Sequence, residues 1–582
     1  MSKNFAVMLV LALLLESCCF VFLRSNVHAA LSPFTGEIRV APDGTVKGTD
    51  MITRNDNVYT LVGDISGSVE NGQTLITIEK DGVIFDGSGR TIRGTGTGVG
   101  IAVYGRKDVT IENTRIIDFG VGIELRATDF GSNSTASNNR IIDNYLESEY
   151  WGISLDTDNG VISGNTIVSK NGKYGVLFHC NNTVFSNNAF VNGGLARYEP
   201  AVLNVFSGNT INGKPLVYLE GQASQVVENA AQVFLVDCKN MIVRNIDTTA
   251  HLRVTIALSG TSNTEISNCK GNIVLGNSHS NTIIDNHLTD VGSMVSYSSS
   301  AIEVSASNNN TILGNSIEAT NSYGVILQGS SYNNVQRNSI SSTGQSAITL
   351  ESTIQSNSEF NYVHENSITC TETGLLVRTG ARNNFVFKNT FTGCKNSIML
   401  SSGHNNIFLG NNISGSTQYA VCLFTSDYNT FYRNNFLNNA QQAYENHEVY
   451  WWATQNDTYY SESNAWDNGE EGNYWDDYSG SDVNGDGIGE EPYTVYENFT
   501  DKYPLTAPFN IDSVSIELPE WVSPSLDPSL EPQPENTDPS PSTTPTPYNR
   551  LQTEQEIIIG IAIVATVIGA GLVFLIYLIK RK

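Results

Sequence analysis

Ile312-Leu313-Gly314-Asn315-Ser316-Ile317 is one copy of a six-residue phrase that returns along most of this 582-residue chain. The phrase begins with a β-branched or aromatic residue, has Asn at its fourth position, and ends with Ile or Phe. Further copies are Ile162–Ile167, Val335–Ile340, Val386–Phe391 and Phe431–Phe436. A fixed spacing of about 22 residues is typical of stacked units that each bury an apolar face against the next. The repeat therefore predicts a solenoid.

The residues between the copies indicate strands. Short runs of Val, Ile and Thr are separated by Gly and Asn, as in strands joined by tight turns. No helical periodicity competes with this pattern before the C-terminus. We therefore predict an all-β chain, a right-handed parallel β-helix of ~22-residue coils over residues 30–443. An aromatic and acidic cap is predicted at residues 444–508.

The Asn of the phrase marks the coils. Its positions are Asn113, Asn144, Asn165, Asn187, Asn245, Asn268, Asn286, Asn315, Asn338, Asn366, Asn389, Asn411 and Asn434. Asn tolerates the left-handed turn conformation, and its amide can bond the same group one coil away. Stacked Asn ladders stabilise stacked strands. We therefore favour a structural ladder over the alternative, a surface row of Asn that binds sugar hydroxyls.

The two ends of the chain differ from the repeat. Residues 1–29 combine Lys3, an apolar run and small residues, which is typical of a secretory signal peptide. Residues 509–556 form a Pro/Ser/Thr-rich stalk that cannot bury enough apolar surface to fold. Residues 557–579 carry no charge and precede a basic tail at residues 580–582, which predicts a single transmembrane helix with a cytoplasmic tail. The prediction is a single-pass protein of the cell membrane whose β-helix is extracellular.

Charge limits the partners. The chain has 32 basic and 59 acidic residues and a formal net charge of −27 at pH 7. Such an acidic protein repels nucleic acid, so no nucleic-acid partner is expected.

Two kinds of modification are predicted from local sequence. Cys370 and Cys394 are separated by about one coil, which would bring them within disulfide reach if the coils stack in register. Asn133 and Asn456 are the preferred glycosylation sites, because their sequons lie in polar, irregular stretches.

The cap region is dense in aromatic residues. Its tryptophans include Trp451, Trp452, Trp466 and Trp475. A β-helix must cover its last coil, since an open strand edge would pair with other chains. Capping is therefore one interpretation of this block, and stacking against a carbohydrate ligand is the other.

An acidic loop in the cap resembles part of a calcium site. Asp482, Asn484 and Asp486 supply oxygen at positions 1, 3 and 5 of a calcium loop, and the carbonyl of Ile488 lies at position 7. The bidentate Glu of position 12 is missing, and Glu490, Glu491 and Asp477 are candidate replacements. Calcium is the one cofactor predicted, with an ordinary Asp/Gly turn as the alternative.

Parts of the chain resemble the NosD-like β-helix proteins. The similar stretches are Asp81–Gly89, Asn212–Pro215, Gly472–Tyr478 and Asp482–Tyr493. The resemblance covers roughly residues 50–508 and implies a secreted right-handed β-helix, of a kind grouped with carbohydrate-binding proteins and sugar hydrolases. Membrane-anchored surface proteins of the archaeal type share this order of segments. Although the family is named after a copper-site accessory protein, the histidines here are scattered and predict no copper site.

The β-helix fold is compatible with catalysis, because β-helices include pectate lyases, polygalacturonases and uronan epimerases. Asp156, Asp158 and His179 are the candidate catalytic residues, because they could converge across neighbouring coils. A solvated acidic turn is the alternative, and fold alone does not decide between them. The sequence favours a surface protein that binds polysaccharide or another cell-surface protein. A polysaccharide-modifying enzyme (hydrolase, lyase or epimerase) is the second hypothesis, and a structural rod of the cell envelope is the third.

Overall fold

The computed structural model describes residues 38–127, 136–171, 174–197, 202–249, 255–289, 300–319, 323–446, 464–497 and 499–515. The chain divides into two units, Met1–Pro524 and Ser525–Lys582, and every described residue belongs to the first. Several predicted features lie outside the described residues: the signal peptide, Asn133, Trp451, Trp452, Asn456, most of the stalk and the transmembrane helix. The described part contains no helix that is long and apolar enough to cross a membrane.

The described residues form a parallel β-helix with three faces. Each coil contributes a longer strand to face A, a short strand to face B and a short strand to face C, in repeating order along the chain. Strands of successive coils pair in parallel, as Thr311–Leu313 does with Asn334–Gln336. The predicted all-β parallel β-helix is thus confirmed, and the one helical segment among the described residues is a 3₁₀ turn at Ile511–Ser513.

The bounds of the strands follow the chain within each face. Face A comprises Ile38–Val40, Thr74–Ile78, Val99–Tyr104, Arg115–Arg126, Tyr145–Asp156, Val176–Phe178, Leu195–Arg197, Lys214–Glu220, Gln232–Val236, Ile256–Ser259, Ile273–Gly276, Ser300–Ser305, Tyr323–Gln328, Ser346–Glu351, Thr373–Arg378, Asn396–Ser401, Tyr419–Phe424 and Ala443–Asn446. Face B comprises Ile52–Asn55, Val58–Leu61, Ile84–Asp86, Thr110–Glu112, Arg140–Ile142, Val161–Ser163, Val184–Ser186, Val205–Ser207, Val226–Val227, Ile242–Arg244, Glu265–Ser267, Thr282–Ile284, Thr311–Leu313, Asn334–Gln336, Tyr362–His364, Phe385–Phe387, Ile407–Leu409 and Thr430–Tyr432.

Face C comprises Ile65–Ser66, Thr91–Arg93, the first halves of Arg115–Arg126 and Tyr145–Asp156, Thr166–Ser169, Ala189–Val191, Thr210–Ile211, Lys270–Gly271, His287–Thr289, Ser316–Ala319, Ser339–Ser342, Ser367–Cys370, Thr390–Thr392, Asn412–Ser414, Asn435–Leu437 and Tyr474–Trp475. Val46–Lys47 pairs antiparallel with the first strand of face A. Tyr493–Tyr496 and Phe499–Asp501 form a hairpin in the cap.

The core is a column of aliphatic and aromatic side chains inside the coils. The middle residue of each short strand points inward, because neighbouring side chains of a strand alternate between its two sides. Val335, Val363 and Val386 occupy the same register in successive coils and are fully buried. Side chains alternate along a strand with a period of two residues. A shift of one residue between paired strands would therefore turn every apolar side chain outward, and this fixes the register of the stacked strands.

The Asn ladder is buried and has two segments, one from Asn144 to Asn209 and one from Asn286 to Asn473. The backbone N–H and the side-chain Nδ2 of Asn315 both donate to Oδ1 of Asn338, at 2.9 Å each. Asn338 repeats both bonds to Oδ1 of Asn366. Each ladder Asn is 3% exposed or less, so the ladder is structural and its amides are not available to sugars.

Four of the thirteen predicted anchors are wrong by one residue. Asn113, Asn187, Asn245 and Asn268 have positive φ angles between 50° and 59° and occupy the turn position just before the ladder. The ladder residue beside Asn187 is Asn188, whose side chain bonds Asn209. The left-handed turn and the ladder are therefore two adjacent positions, and Asn suits both.

A second Asn ladder runs between faces A and B and was not predicted. Its members are Asn281, Asn310, Asn333, Asn361, Asn384, Asn406, Asn429 and Asn464. Each ladder follows a turn between two faces. The side-chain Oδ1 of a ladder Asn accepts the backbone N–H of the ladder Asn in the preceding coil, which the turn would otherwise leave without an acceptor.

The stack is interrupted between residues 205 and 227. Val205–Ser207 is the last strand of an eight-stranded part of face B, and Val226–Val227 is the first strand of the following ten-stranded part. Between them, Thr210–Ile211 and Lys214–Glu220 pair antiparallel. The core is divided into two clusters that meet at the strand Gln232–Val236, where Phe234 and Val236 belong to the first cluster and Val233 and Leu235 to the second.

The cap closes the C-terminal end with buried rings. Trp475 is 0% exposed and stacks between Phe436 and Tyr493, and Trp466 is 2% exposed and stacks on Phe431. The predicted ligand-stacking role of Trp466 and Trp475 is therefore wrong. Their rings continue the aromatic column of the core and leave no face for an external ligand, as the capping interpretation requires.

Candidate functional site

A groove with a volume of about 240 Å³ lies on the outer side of face A, toward the N-terminal end of the stack. Tyr104, Glu124, Arg126 and Tyr150 line it. These side chains point outward because they alternate with inward-pointing core residues such as Leu125. The groove combines aromatic rings, one carboxylate and one guanidinium.

Glu124 is the most constrained side chain of the groove. It is 6% exposed, and its Oε2 accepts a hydrogen bond from the hydroxyl of Tyr104 at 2.7 Å. Its Oε1 lies 2.8 Å from Nη2 of Arg126. Burial, followed by the nearby Glu124 charge, raises the pKa of Tyr104 far above its ordinary value, so Tyr104 stays a hydroxyl donor. The carboxylate is thereby held in one orientation by two donors.

Tyr104 and Arg126 begin a row of polar residues that crosses four coils. Tyr104 pairs in register with Arg126, and Arg126 pairs with Asp156. His179 follows in the next coil, and its Nδ1 lies 3.1 Å from Oδ1 of Asp156. Neighbouring strands are about 4.8 Å apart, so the row extends roughly 14 Å along the stack. We call Tyr104, Arg126, Asp156 and His179 the polar row.

The structure brings together two of the three predicted catalytic residues. The hydrogen bond that His179 donates to Asp156 raises the pKa of His179 above its ordinary value, although burial opposes this effect. The His179 side chain is 40% exposed and accessible from solvent. Asp158 is used differently, since its Oδ1 accepts the backbone N–H of Asn181 at 2.8 Å. The pair Asp156–His179 can exchange a proton with a ligand, whereas Asp158 holds a turn.

Two glycines leave room for the groove. Gly98 has a φ of +67°, and a Cβ there would lie 2.5 Å from Val69 Cγ2. A Cβ on Gly120 would lie 3.1 Å from Cδ2 of Tyr150. A side chain at Gly120 would therefore press on the Tyr150 ring, which forms part of the wall, whereas a side chain at Gly98 would clash with Val69.

A charged cluster includes Glu147 and Glu149, which precede Tyr150 on the same strand. The ammonium of Lys170 contacts Asp118, lies 3.3 Å from Glu147 Oε1, and lies 3.4 Å from Glu149 Oε1. The hydrogen bond from Lys170 is the largest effect on the pKa of Asp118, which it lowers. Arg93 also contacts Asp118, so two cations face three carboxylates, and the cluster remains net acidic.

In the predicted calcium loop, the side-chain oxygens accept hydrogen bonds from backbone N–H groups of the same loop. Both carboxylate oxygens of Asp482 accept backbone N–H groups, from Gly485 at 2.7 Å and from Gly487 at 2.9 Å. Glu490 Oε1 accepts the N–H of Val483 at 2.7 Å. Asp486 Oδ1 accepts the N–H of Ile488, and Asn484 donates to Asp486 Oδ2. Among the described residues, no group of three or more His, Cys, Asp or Glu side chains is placed to hold a metal ion.

The structure joins Cys370 and Cys394 in a disulfide, with Cα atoms 4.6 Å apart. Cys370 ends a strand of face C, and Cys394 follows the strand paired with it in the next coil. Cys180, Cys238, Cys269 and Cys422 are buried thiols. The bond crosses one coil step and places no reactive group in the groove.

Sequence reasoning missed Tyr104, Glu124, Arg126 and Tyr150. Each member of the polar row directly follows a core residue of face A, and Leu125, Leu155 and Phe178 share one register. Aligning the coils on these core residues would have placed the polar row in a single slot. The uneven spacing between coils hides that slot from inspection of the linear sequence.

Comparison with protein families agrees with this geometry. The family described as right-handed beta helix region matches residues 66–213 and 261–413, which is more than half of the chain. This chain belongs to the right-handed β-helix family. A second family, described as periplasmic copper-binding protein (NosD), matches residues 352–480 of the β-helix protein, and the NosD-like resemblance is confirmed.

The residues of the NosD-matched segment do not fit a copper site. Copper prefers clustered imidazole, thiolate or thioether ligands. His364 is 2% exposed and stacks on Phe387, and Nδ1 of His404 accepts the backbone N–H of Asp427. Cys370 and Cys394 are joined in the disulfide, and Cys422 is a buried thiol. Within the described part of the chain, these side chains are separate and already engaged in the β-helix.

Similar solved structures include other β-helices at low identity. The periplasmic alginate epimerase AlgG has 13% identity, with 68% of this chain and 80% of that chain covered and a TM-score of 0.23. The AlgE6 A-module, a mannuronan C-5 epimerase of Azotobacter vinelandii, has 13% identity, coverages of 68% and 85%, and a TM-score of 0.19. The Dettilon tailspike protein has 14% identity, coverages of 60% and 62%, and a TM-score of 0.21. Similarity at this level carries no argument about substrate or reaction. No curated protein sequence matches the β-helix protein.

Proposed function

We propose that this chain is a cell-surface β-helix protein that binds polysaccharide in the groove between Tyr104 and Tyr150. The observation that carries the proposal is the groove itself, in which Tyr104 and Arg126 hold the carboxylate of Glu124 at 2.7 and 2.8 Å. Binding sites combine apolar surface with a few fixed polar groups that orient the ligand. Aromatic rings supply such surface, and the fixed carboxylate can accept hydrogen bonds from sugar hydroxyls.

The size of the groove favours a short segment of a sugar chain. Pockets for drug-sized ligands occupy about 300–1,000 Å³, and this groove is somewhat smaller at about 240 Å³. The polar row continues beyond it along the stack, through Asp156 to His179. A polymer that lies along the stack would therefore contact several coils, with one sugar residue in the groove.

The cellular setting is part of the same proposal. Residues 1–29 direct export, residues 557–579 span the membrane once, and residues 509–556 separate the β-helix from the lipid surface. Protease added to intact cells should then release a soluble fragment by cutting within residues 519–547. Survival of the β-helix while the tail is digested would contradict this orientation.

The binding experiment uses the full chain in detergent on a glycan array. Glu124→Gln keeps the size of the side chain but removes its charge, and Tyr150→Ala removes one wall of the groove. We expect each change to weaken binding of the recognised glycan by about tenfold or more, since a hydrogen bond to a charged group contributes about 1.5–3 kcal/mol.

The chain offers a matched control. Arg378 donates to Glu351 at 2.9 Å and to the hydroxyl of Tyr323 at 3.4 Å, so a second Tyr–Glu–Arg group lies on the other half of face A. Glu351→Gln should leave glycan binding unchanged. The proposal is wrong if no glycan binds, or if Glu124→Gln and Glu351→Gln behave alike. A cell-surface protein would then be the preferred ligand.

Enzymatic modification of the polysaccharide is a second candidate function. The Asp156–His179 pair favours it, because the two side chains lie next to Arg126 and can exchange a proton. Reducing-sugar and unsaturated-uronide assays on the bound glycan would detect hydrolysis or elimination, and a change in sugar stereochemistry would detect epimerisation. If the function is catalytic, Asp156→Asn should abolish product formation while glycan binding persists.

A further inference from the structure

The interruption of the stack leaves an opening in face B. Val205–Ser207 pairs with Val184–Ser186 and ends one part of the sheet, and Val226–Val227 pairs with Ile242–Arg244 and begins the next part. Most Cα–Cα distances between these two end strands exceed 8 Å. Paired strands lie about 4.8 Å apart, so one additional strand between them would require about 9.6 Å. We call the space between the two end strands the face B opening.

The backbone groups at the two rims of the opening are oriented for strand pairing. The N–H of Val205 donates to a carbonyl of the preceding coil at 3.0 Å. Alternate residues of a strand direct their N–H and C=O groups to opposite neighbours, so those of Phe206 face the opening. On the other rim, the carbonyl of Gln225 accepts from an N–H of the next coil at 2.9 Å, so the backbone groups of Val226 face the opening. Each rim therefore presents a donor and an acceptor to an additional strand.

Apolar side chains line the opening and are exposed to solvent. Leu203 is 65% exposed, Val205 is 56% exposed and Val226 is 45% exposed. The residues that pair with Val205 and Val226 one coil further from the opening are Val184 and Ile242, and both are half-buried. Contiguous apolar surface of this kind marks interaction sites on soluble proteins. The exposed side chains therefore make the opening a candidate docking surface.

The opening reaches the core at Phe206. Its ring stacks between the rings of Phe185 and Tyr218, with centres 4.4 and 4.3 Å away, so it belongs to the aromatic column inside the coils. The inward residues of the neighbouring face B strands are buried, with Phe185 1% exposed and Val227 5% exposed. Phe206 is only half-buried. Solvent therefore reaches a core ring through the opening, and an apolar side chain that entered it would cover that ring.

Glu220 closes one end of the opening. Its Oε1 and Oε2 accept the backbone N–H groups of Leu203 and Asn204, at 2.6 and 3.3 Å. In the preceding coil, the N–H of Thr183 donates instead to Oδ1 of Asn204 at 3.0 Å. The carboxylate of Glu220 thus takes the place that the next Asn would occupy. It satisfies the turn before Val205–Ser207 and leaves the strand itself at the edge of the sheet.

These features fit a peptide and not a sugar chain. The edge of a sheet offers backbone N–H and C=O groups at the spacing of another strand, and extended peptides bind such edges by main-chain hydrogen bonds. Edges that avoid pairing carry Lys or Pro, or are covered, whereas both rims here carry an exposed Val. Face B is parallel on both sides of the opening, so an inserted parallel strand would continue the existing sheet.

We propose that the face B opening binds an extended segment of a partner protein as an additional strand. The segment carries a short run of consecutive aliphatic residues, because its inward side chain contacts Phe206 and its outward side chains contact Val205 and Val226. Strands that are covered on both sides have such continuous apolar runs. This site lies outside the glycan groove, so the proposal stands or fails independently of glycan binding.

A labelled peptide that copies residues 270–277 tests the opening. Its Ile-Val-Leu run forms a strand that pairs in parallel on both sides within this chain. We expect saturable binding to the full chain in detergent, measured by fluorescence anisotropy. Val205→Lys and Val226→Lys should each weaken it by about tenfold or more, because Lys at an edge opposes pairing. Ile84→Lys is the matched control, since Ile84 has the same strand position as Val205 and is 37% exposed but is paired on both sides. No saturable binding, or an equal loss in Ile84→Lys, would overturn the proposal.

A change in the peptide provides a second measurement that does not depend on the folding of a variant. Methylation of the backbone nitrogens that copy Ile273 and Val274 removes one donor toward each rim and leaves the side chains unchanged. Binding to the wild-type chain should weaken by about tenfold or more, since main-chain hydrogen bonds supply the affinity of strand addition. Equal binding of the methylated and unmethylated peptides would contradict pairing. A concentration-dependent dimer of the wild type that Val205→Lys abolishes in sedimentation would assign the opening to a second copy and overturn the proposed partner.

Discussion

The indole N–H of Trp475 donates to Oδ2 of Asp501 at 2.9 Å, and the same oxygen accepts the backbone N–H of Asn473 at 2.7 Å. Asn473 is the last member of the first Asn ladder, because Asn434 bonds to its Oδ1. Asp501 thus takes the place of the next Asn. The second ladder ends in a similar way, with Asn464 donating to Oε1 of Glu445 at 2.9 Å. Each ladder is closed by a buried carboxylate.

Removing the Asp501 carboxylate should open the cap. Asp501→Ala leaves the N–H groups of Asn473, Trp475 and Tyr503 without acceptors. Because each buried unsatisfied donor costs about 1–3 kcal/mol, we expect a loss of roughly 3–5 kcal/mol from the free energy of unfolding. Urea unfolding followed by tryptophan fluorescence measures it. Asp512→Ala, an exposed carboxylate of the same region, should change stability by less than about 0.5 kcal/mol.

The charge of Asp501 also predicts a pH dependence. Burial raises its pKa from 3.8 to about 6, although hydrogen bonds from Asn473 and Trp475 oppose this effect. Since the folded pKa lies above the unfolded one, this contribution to stability is complete below pH 4 and is lost as the pH rises through 6. Asp501→Asn has no such titration. The stability of the wild type relative to Asp501→Asn should therefore be higher at pH 4.5 than at pH 7.5. A difference that does not change with pH would show that the carboxylate ionises normally.

Asn187 and Asn188 are adjacent but have different roles, which a pair of variants can separate. Asn188 is 1% exposed, donates to Ile162 and Asn209, and accepts from Asn165. Asn188→Ala should cost about 2–4 kcal/mol of unfolding free energy, because it breaks a buried network. Asn187 is exposed and has a φ of 54°, so Asn187→Gly should change stability by less than about 1 kcal/mol. Similar losses from both variants, measured by chemical denaturation, would contradict the assignment of the ladder.

The same two residues show how far the sequence predicts this structure. A 22-residue period corresponds directly to one coil, so the parallel β-helix and the Asn ladder follow from the repeated phrase. The register does not follow, because the turn and the ladder both accept Asn and the sequence at Asn187 offers two in a row. The second ladder was missed because Asn281 and its successors lie outside the six-residue phrase. The buried tryptophans were misassigned for a related reason, since composition does not distinguish a ring inside a cap from a ring on its surface.

The groove could not be predicted from the same signals. A repeat reveals what successive coils share, whereas Tyr104, Arg126, Asp156 and His179 are four different residue types in one slot. Coils of unequal length separate them in sequence. Glu124 was missed because its role depends on being buried beside Arg126, which requires the register of face A. Asp158 was included for the opposite reason, because it is close to Asp156 in sequence although it bonds Asn181.

The partner of His179 gives a spectroscopic prediction. The hydrogen bond that His179 donates to the Asp156 carboxylate is the largest effect on the pKa of His179 and raises it. Asp156→Asn should therefore lower that pKa, as measured by NMR titration of the imidazole C–H resonances. Asp158→Asn should have a smaller effect, because Asp158 acts on His179 only through its charge. If the pKa of His179 were unchanged in Asp156→Asn, the two side chains would not be hydrogen-bonded, and proton exchange at the end of the polar row would lose its basis.

Calcium binding at the cap loop is the final prediction. Asp482, Asn484 and Asp486 have the spacing of the first three calcium ligands, and the loop joins the strand pairs of the cap. A cation that binds the folded loop and not the unfolded chain stabilises the folded state by mass action. We expect millimolar calcium to raise the melting temperature of the full chain, and magnesium to raise it less because it requires tighter octahedral geometry. Asp482→Ala with Asp486→Ala should abolish the rise. Asp247→Ala, which removes a comparable Asp turn at Thr249 far from the cap, should retain it. A melting temperature that is the same in chelator and in calcium would show that the loop is an Asp/Gly turn, held by the backbone hydrogen bonds that Asp482 already accepts.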